Sequence, residues 1–187
     1  MVLPVTVYGN PILKKATSTV DKDYEGLQEL IANMFETMYH ANGVGLAAPQ
    51  VDVSIKLFVV DTTPFIDEDF DEKPLKAVFI NAEILEFFGE DKVFNEGCLS
   101  VPEINENVVR KSKIRLRYQD ENFVEHTQVF DGMAARVIQH EYDHTLGKVF
   151  VDRLSNLKKT LLKGKLNDIS TGKKVPFYKI KLNKNKK

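Results

Sequence analysis

The chain predicts an α+β fold: a single domain in which antiparallel or mixed β-sheets pack around a central helix carrying the HExxH sequence His140-Glu141-Tyr142-Asp143-His144. Three observations lead there. The 187 residues, 43% of them hydrophobic, suit one soluble core. Two amphipathic helical segments, near residues 21–40 and 132–146, stand far apart instead of recurring regularly. Short apolar runs fill the space between them, and few elements alternate strand, helix, strand, which disfavours a doubly wound sheet.

Along the chain, Asp21 to His40 carries Leu27, Leu30, Ile31, Met34, Phe35 and Met38 at helical spacing, and Asn42-Gly43 ends the helix. Ile55–Val60 is short, β-branched and bounded by polar residues, so it reads as a buried strand. Asp67–Glu72 is an acidic loop closed by Pro74. Strands are expected at Ala77–Asn81, Ile114–Tyr118 and Phe123–Phe130, the last two joined by a turn near Asp120–Asn122. Gly132–Leu146 is the second helix, with Asp131 near its cap and Met133, Val137 and Ile138 toward the core. A basic helix from about Ser155 to Lys163 follows. Lys173–Leu182 alternates well enough for a final strand before a frayed end.

Charge is unevenly placed. The total of 26 Lys+Arg and 27 Asp+Glu gives a net of -1, which on its face argues against a nucleic-acid or membrane binder. Yet residues 1–152 carry -12 and residues 153–187 carry +11, with Asp168 the one acid in that stretch. A basic end of this kind is either a solvated face or a surface that sits against phosphate. The single cysteine excludes an internal disulfide and fits a reducing compartment. No apolar run reaches the length of a membrane span, and residues 1–11 have no signal-peptide pattern.

The strongest local signal is the HExxH itself, expected by chance in only about 0.006 of chains of this composition. On a helix, His140 and His144 project from one face and can grip one metal ion, while Glu141 can exchange protons with a water beside it. A catalytic ion normally takes a third protein ligand. The tenth position after His140 is Phe150, which excludes a metzincin pattern, and no Glu follows His144, which excludes a thermolysin-like one. The third ligand is therefore sought upstream, among Cys98, His40 and His126. Cys98 is favoured: Gly97 beside it lets the backbone approach closely, and a thiolate with two imidazoles suits Fe(II), Zn(II) or Ni(II).

Gly43-Val44-Gly45-Leu46-Ala47-Ala48-Pro49-Gln50 imitates a dinucleotide fingerprint, but a helix precedes it and Pro49 opposes a helix after it. Its better reading is an extended edge, poor in side chains, that can pair with a peptide. Gln50 there offers an amide donor of the kind that steadies an oxyanion.

Residues 43–50, Glu96-Gly97-Cys98-Leu99-Ser100 and Gln139–His144, in that order, resemble the three signature motifs of the peptide deformylases. Leu3-Pro4-Val5, Tyr8–Pro11 and Val149–Ser155 are similar to that family too, so the likeness spans nearly residues 3–155. The resemblance implies a hydrolase that removes the N-formyl group from the initiator methionine of nascent polypeptides and releases formate. It implies Cys98, His140 and His144 as ligands of one divalent metal per chain, Fe(II) foremost, with zinc or nickel able to replace it. It implies Glu141 as general base and acid, with Gln50 and the Leu99 N–H on the oxyanion. The peptide would lie along Val44-Gly45 and Gly97, its methionine in an apolar pocket near Gly43, Val137 and His140. Residues 1–152 are then a catalytic domain, and 153–187 a basic extension of the same domain. The enzyme is expected to be a cytoplasmic monomer without membrane contact, and the extension to touch ribosomal RNA. Removing the chain after residue 164 should then weaken ribosome binding and spare small-peptide activity.

Two departures from the family stand: Thr145 follows His144 where Leu is usual, and the end of the chain reads as a strand instead of a helix. Asp143 is expected to pair with Arg110 or Arg136. The competing readings are a metallopeptidase cutting internal bonds and an RNA-associated protein with a closed structural metal site.

Overall fold

The structure, a computed structural model, describes residues 1–65 and 73–183; the expected acidic loop at Asp67–Glu72 lies outside the described residues. Strand β1 (Val5–Thr6) opens the chain, and helix α1 (Leu27–His40) follows after a turn at Asp21–Tyr24. The helix begins at Leu27, the first of its apolar positions and six residues after the expected start at Asp21, because Gly26 adopts a left-handed conformation (φ 75°) that breaks the helical path just before it. At its other end Asn42 turns the chain out at φ 57°.

A five-stranded sheet forms the body, in the order β2 (Gly45–Ala47), β3 (Leu57–Asp61), β4 (Lys76–Cys98), β5 (Val101–Gln119), β6 (Glu125–Asp131), each neighbour antiparallel. Sequence alternation finds only the buried ends of β4 and β5. Their long continuation is hidden for two reasons. Leu85, Phe87, Val93 and Val109 are exposed on it, and four register shifts between Ile80 and Cys98 break the two-residue period. Between β5 and β6 the chain turns at Asp120, whose Oδ1 accepts from the N–H groups of Asn122 and Val124.

Helix α2 (Gly132–Thr145) is capped by the Asp131 carboxylate. It packs Ala135 and Ile138 onto a sheet face built from Phe58, Phe79, Ile114 and Leu116. Phe58 and Phe79 are direct cross-strand partners, with ring centroids 4.8 Å apart. On the other side, α1 lays Ile31, Met34 and Met38 against Leu46, Leu57 and Val59.

Helix α3 (Asn156–Ser170) runs a further seven residues past its expected end. Gly164 reads as a stop, but the stripe Leu162, Leu166, Ile169 continues through it and is buried against Val101, Val108 and Phe150. Beyond it, among the described residues, the expected strand over 173–182 shrinks to β7 (Ile180–Lys181), paired in parallel with β1. Among the described residues, no helix is long and apolar enough to cross a membrane.

Candidate active site

The tip between β4 and β5 meets the C-terminal half of α2, and there the metal-ligand types converge. Glu96 and Cys98 are two residues apart on β4, so both can face α2. Cys98 Sγ lies 3.3 Å from His144 Nε2, and the ligand atoms of Cys98, His140 and His144 all lie within 4.8 Å of one another. Two ligands of one tetrahedral ion sit about 3.5 Å apart, given bonds of about 2.3 Å to sulfur and 2.1 Å to nitrogen. The donor set and its spacing fit a borderline divalent metal. His40 and His126 stand elsewhere: His126 pairs with Asp120 at 2.9 Å, and His40 faces Phe177.

The orientation of His140 is set from behind. Glu96 Oε2 accepts from its Nδ1 at 2.9 Å, which leaves Nε2 to face the cluster. Glu96 is 4% exposed and also takes a two-point contact from Arg110, at 2.7 and 2.9 Å, and one from Arg136 at 2.8 Å. Burial alone would raise the Glu96 pKa, but the His140 and Arg110 contacts outweigh it and hold the carboxyl far below the ordinary range. Arg110 continues to Asp143 at 2.7 Å, and Asp143 accepts from Arg153 as well. Of the two partners expected for Asp143, Arg110 is present; Arg136 serves Glu96 instead, and Arg153 takes the place left. Glu96 and Arg153 are the contributors that sequence reasoning missed. The signal for Glu96 was its position two residues before Cys98.

Glu141 is 4% exposed, and its Oε2 has no hydrogen-bond partner among the described residues. Burial pushes its pKa up to about 7, only partly opposed by His140 and Arg110. A carboxyl tuned there can both take and give a proton near neutral pH. His144 is driven the other way, down to about 3, first by burial and then by the charge of His140. A neutral imidazole is the form that binds a metal.

Gln50 lies within a short 3-10 turn, Ala48–Val51, that follows β2 where a dinucleotide site would have a helix. Its Oε1 accepts from the Ala47 N–H at 2.8 Å, so the amide nitrogen is turned inward, 3.6 Å from Cys98 Sγ and 3.2 Å from Ser100 Oγ. Gly45 lies against Glu141: a Cβ there would stand 2.4 Å from Glu141 Oε1, so no other residue fits without displacing the carboxylate.

A cleft of about 650 Å³ opens onto these groups. Gly43, Val44, Gly45 and Gln50 line one side, Gly97, Cys98 and Leu99 another, and Val137, His140 and Glu141 the floor. Every residue expected to bind or act on substrate therefore borders one cavity, with His144 just behind Cys98. The open cleft and three-donor cluster speak against a closed structural metal site.

A family model described as polypeptide deformylase matches residues 2–160. A peptide deformylase of Christiangramia forsetii is 51% identical over 194 residues, spanning 100% of this chain and 99% of that protein. The crystal structure of a peptide deformylase from Legionella pneumophila superposes with a TM-score of 0.78 at 38% identity, over 94% of this chain and 100% of that one. One from Thermotoga maritima gives 0.73 at 41% identity, over 83% and 99%. The chain belongs to the peptide deformylases, the metal-dependent hydrolases that remove the N-formyl group from the initiator methionine of nascent polypeptides.

Proposed function

We propose that Cys98, His140 and His144 hold one divalent metal, Fe(II) in the cell and replaceable by zinc or nickel, and that Glu141, Gln50 and Leu99 perform deformylation beside it. The observation that carries this reading is the position of Glu141: a buried carboxyl with one oxygen unpartnered among the described residues, bordering the same cleft as the thiol and His140. A divalent metal held there would polarise the formyl carbonyl and acidify water. Glu141 takes the proton of the attacking water and later delivers it to the leaving amine. Gln50 Nε2 and the Leu99 N–H donate to the oxygen on which negative charge develops. The peptide pairs with the Val44-Gly45 edge and passes Gly97, and its methionine side chain enters the apolar space beside Gly43 and Val137. A thiol ligand suits a reducing compartment such as the cytoplasm.

Formate release from formyl-Met-Ala, measured anaerobically with iron, tests the reading; metal-loaded protein that releases none overturns it. Cys98→Ala should bind less than a tenth of the metal of the unaltered chain, as read by elemental analysis. Normal metal content in that variant would refute the ligand assignment.

The ribosome is the proposed second partner. Lys158, Lys159, Lys163 and Lys165 lie on α3, and Lys163 and Lys165 are exposed. Truncation after residue 164 does not isolate ribosome binding, and it is not expected to spare small-peptide activity. The cut would remove Leu166 and Ile169 from the core and Tyr178 from its bond to the Leu99 carbonyl. Reversing Lys159, Lys163 and Lys165 to Glu should instead weaken co-sedimentation with ribosomes in a salt-dependent way and leave formate release unchanged.

A further inference from the structure

The segment Val175–Tyr178 follows the last helix and leads into β7, yet it borders the same cleft as Gly43, Gly97 and Glu141. It is pinned at both ends. Ahead of it, Lys174 Nζ meets Glu103 at 2.8 Å. At its far end Tyr178 is 7% exposed, packs with Val5, Ala41 and Leu99, and donates its hydroxyl to the Leu99 carbonyl at 2.8 Å. Just beyond, the Val5 N–H bonds the Lys179 carbonyl at 2.8 Å and β7 joins β1. Between these anchors Pro176 restricts the backbone.

What the pinned segment displays is apolar. Val175 is 62% exposed and Phe177 70%, although Tyr178 beside them is buried. The Phe177 ring lies 5.3 Å from that of Tyr178, edge on, and 6.5 Å from that of His40, so it is braced from two sides while most of its surface stays exposed. Elsewhere in the lining, Phe94 adds another partly exposed ring, 38% exposed, while Asn42, Asn95 and Asn105 bring no charge. Exposed aromatic surface fixed at the mouth of a substrate cleft is built to be covered when substrate arrives.

We propose that Val175–Tyr178 is a wall of the substrate cleft, and that Phe177 with Val175 receives an apolar side chain of the residues that follow formyl-methionine. This rests on the deformylase reading and deepens it: the end of the chain selects among nascent sequences after the methionine pocket has accepted the first residue. The occupant is the substrate peptide, because the surface is continuous with the cleft that holds the reacting groups.

The test uses the full-length, iron-loaded enzyme and two peptides, formyl-Met-Leu-Phe and formyl-Met-Ser-Ser. In the unaltered chain kcat/KM should favour the apolar peptide. Phe177→Ala should reduce that preference roughly three- to tenfold, chiefly through KM, since partial covering of an aromatic ring is worth about that factor. Phe177→Leu should retain most of the preference, and Val175→Ser, made separately, should lower it in the same sense. A preference unchanged in Phe177→Ala, whether both rates fall together or neither moves, overturns the proposal. If the unaltered chain releases formate from neither peptide, it is the deformylase reading that fails.

Discussion

Glu141→Ala is expected to bind metal as the unaltered chain does and to lose about 10²- to 10⁴-fold in kcat, the usual contribution of a positioned general base and acid. The reason is location. Glu141 lies one residue from His140 on α2, presses against Gly45, and is not among the three clustered ligand side chains. Elemental analysis and formate release on one preparation check both halves; a variant that retains a tenth of the activity would remove Glu141 from the proton-transfer role. The same carboxyl has a cost for the fold. Its pKa rises on folding from 4.5 to about 7, so in metal-free protein the folded state holds the extra proton and stability falls as pH climbs across that window. Glu141→Gln should remove that slope, a gain on the order of 3 kcal/mol at pH 8. Thermal unfolding of the metal-free variant at pH 5 and pH 8 reads it directly.

Glu96→Ala should have the largest effect on stability. It strips the carboxylate from Arg110 and Arg136, which are 3% and 8% exposed. Breaking a buried ion pair from one side typically costs about 3–5 kcal/mol, or roughly 10–15 °C in Tm for a chain this long. It also frees His140 Nδ1 from its acceptor, and losing such support commonly weakens metal binding about 10- to 100-fold. Glu96→Gln, which keeps an acceptor, should recover part of the metal affinity while remaining destabilised. The acid side carries its own signature. Glu96 and Asp143 are both held below their ordinary values of 4.5 and 3.8, so their contribution is complete above about pH 4.5 and lost as pH falls below it. Acid unfolding of Glu96→Ala should be shallower than that of the unaltered chain. An equal slope, or a Tm within 2 °C or so, would show that the network adds little.

The parts of the site legible in the sequence are those in which chemistry and local spacing coincide. Two imidazoles four residues apart on a helix must share a face, and Gly45 and Pro49 leave an extended edge few other forms. What escaped notice depends on distant partners. Glu96 looks like any surface acid until β4 brings it beneath α2, and Arg153 is one basic residue among many until Asp143 is found beside it. The long β4–β5 pair was hidden because its outer half exposes apolar residues and changes register four times. Nor could the sequence bring residues 175–178 to the cleft, since alternation over 173–182 says nothing of which edge they join. Parallel pairing with β1 decides that.

That pairing also orders events in the life of the molecule. Val5 has as its partner Ile180, which stands on the far side of the whole five-stranded sheet and of helices α1, α2 and α3 in the sequence. The sheet and the metal ligands lie within residues 45–144, whereas the Tyr178 bond to Leu99 depends on β7 finding β1. Contacts between sequence ends are the slowest to form. The wall at residues 175–178 is therefore the last part of the cleft to be completed as the molecule folds.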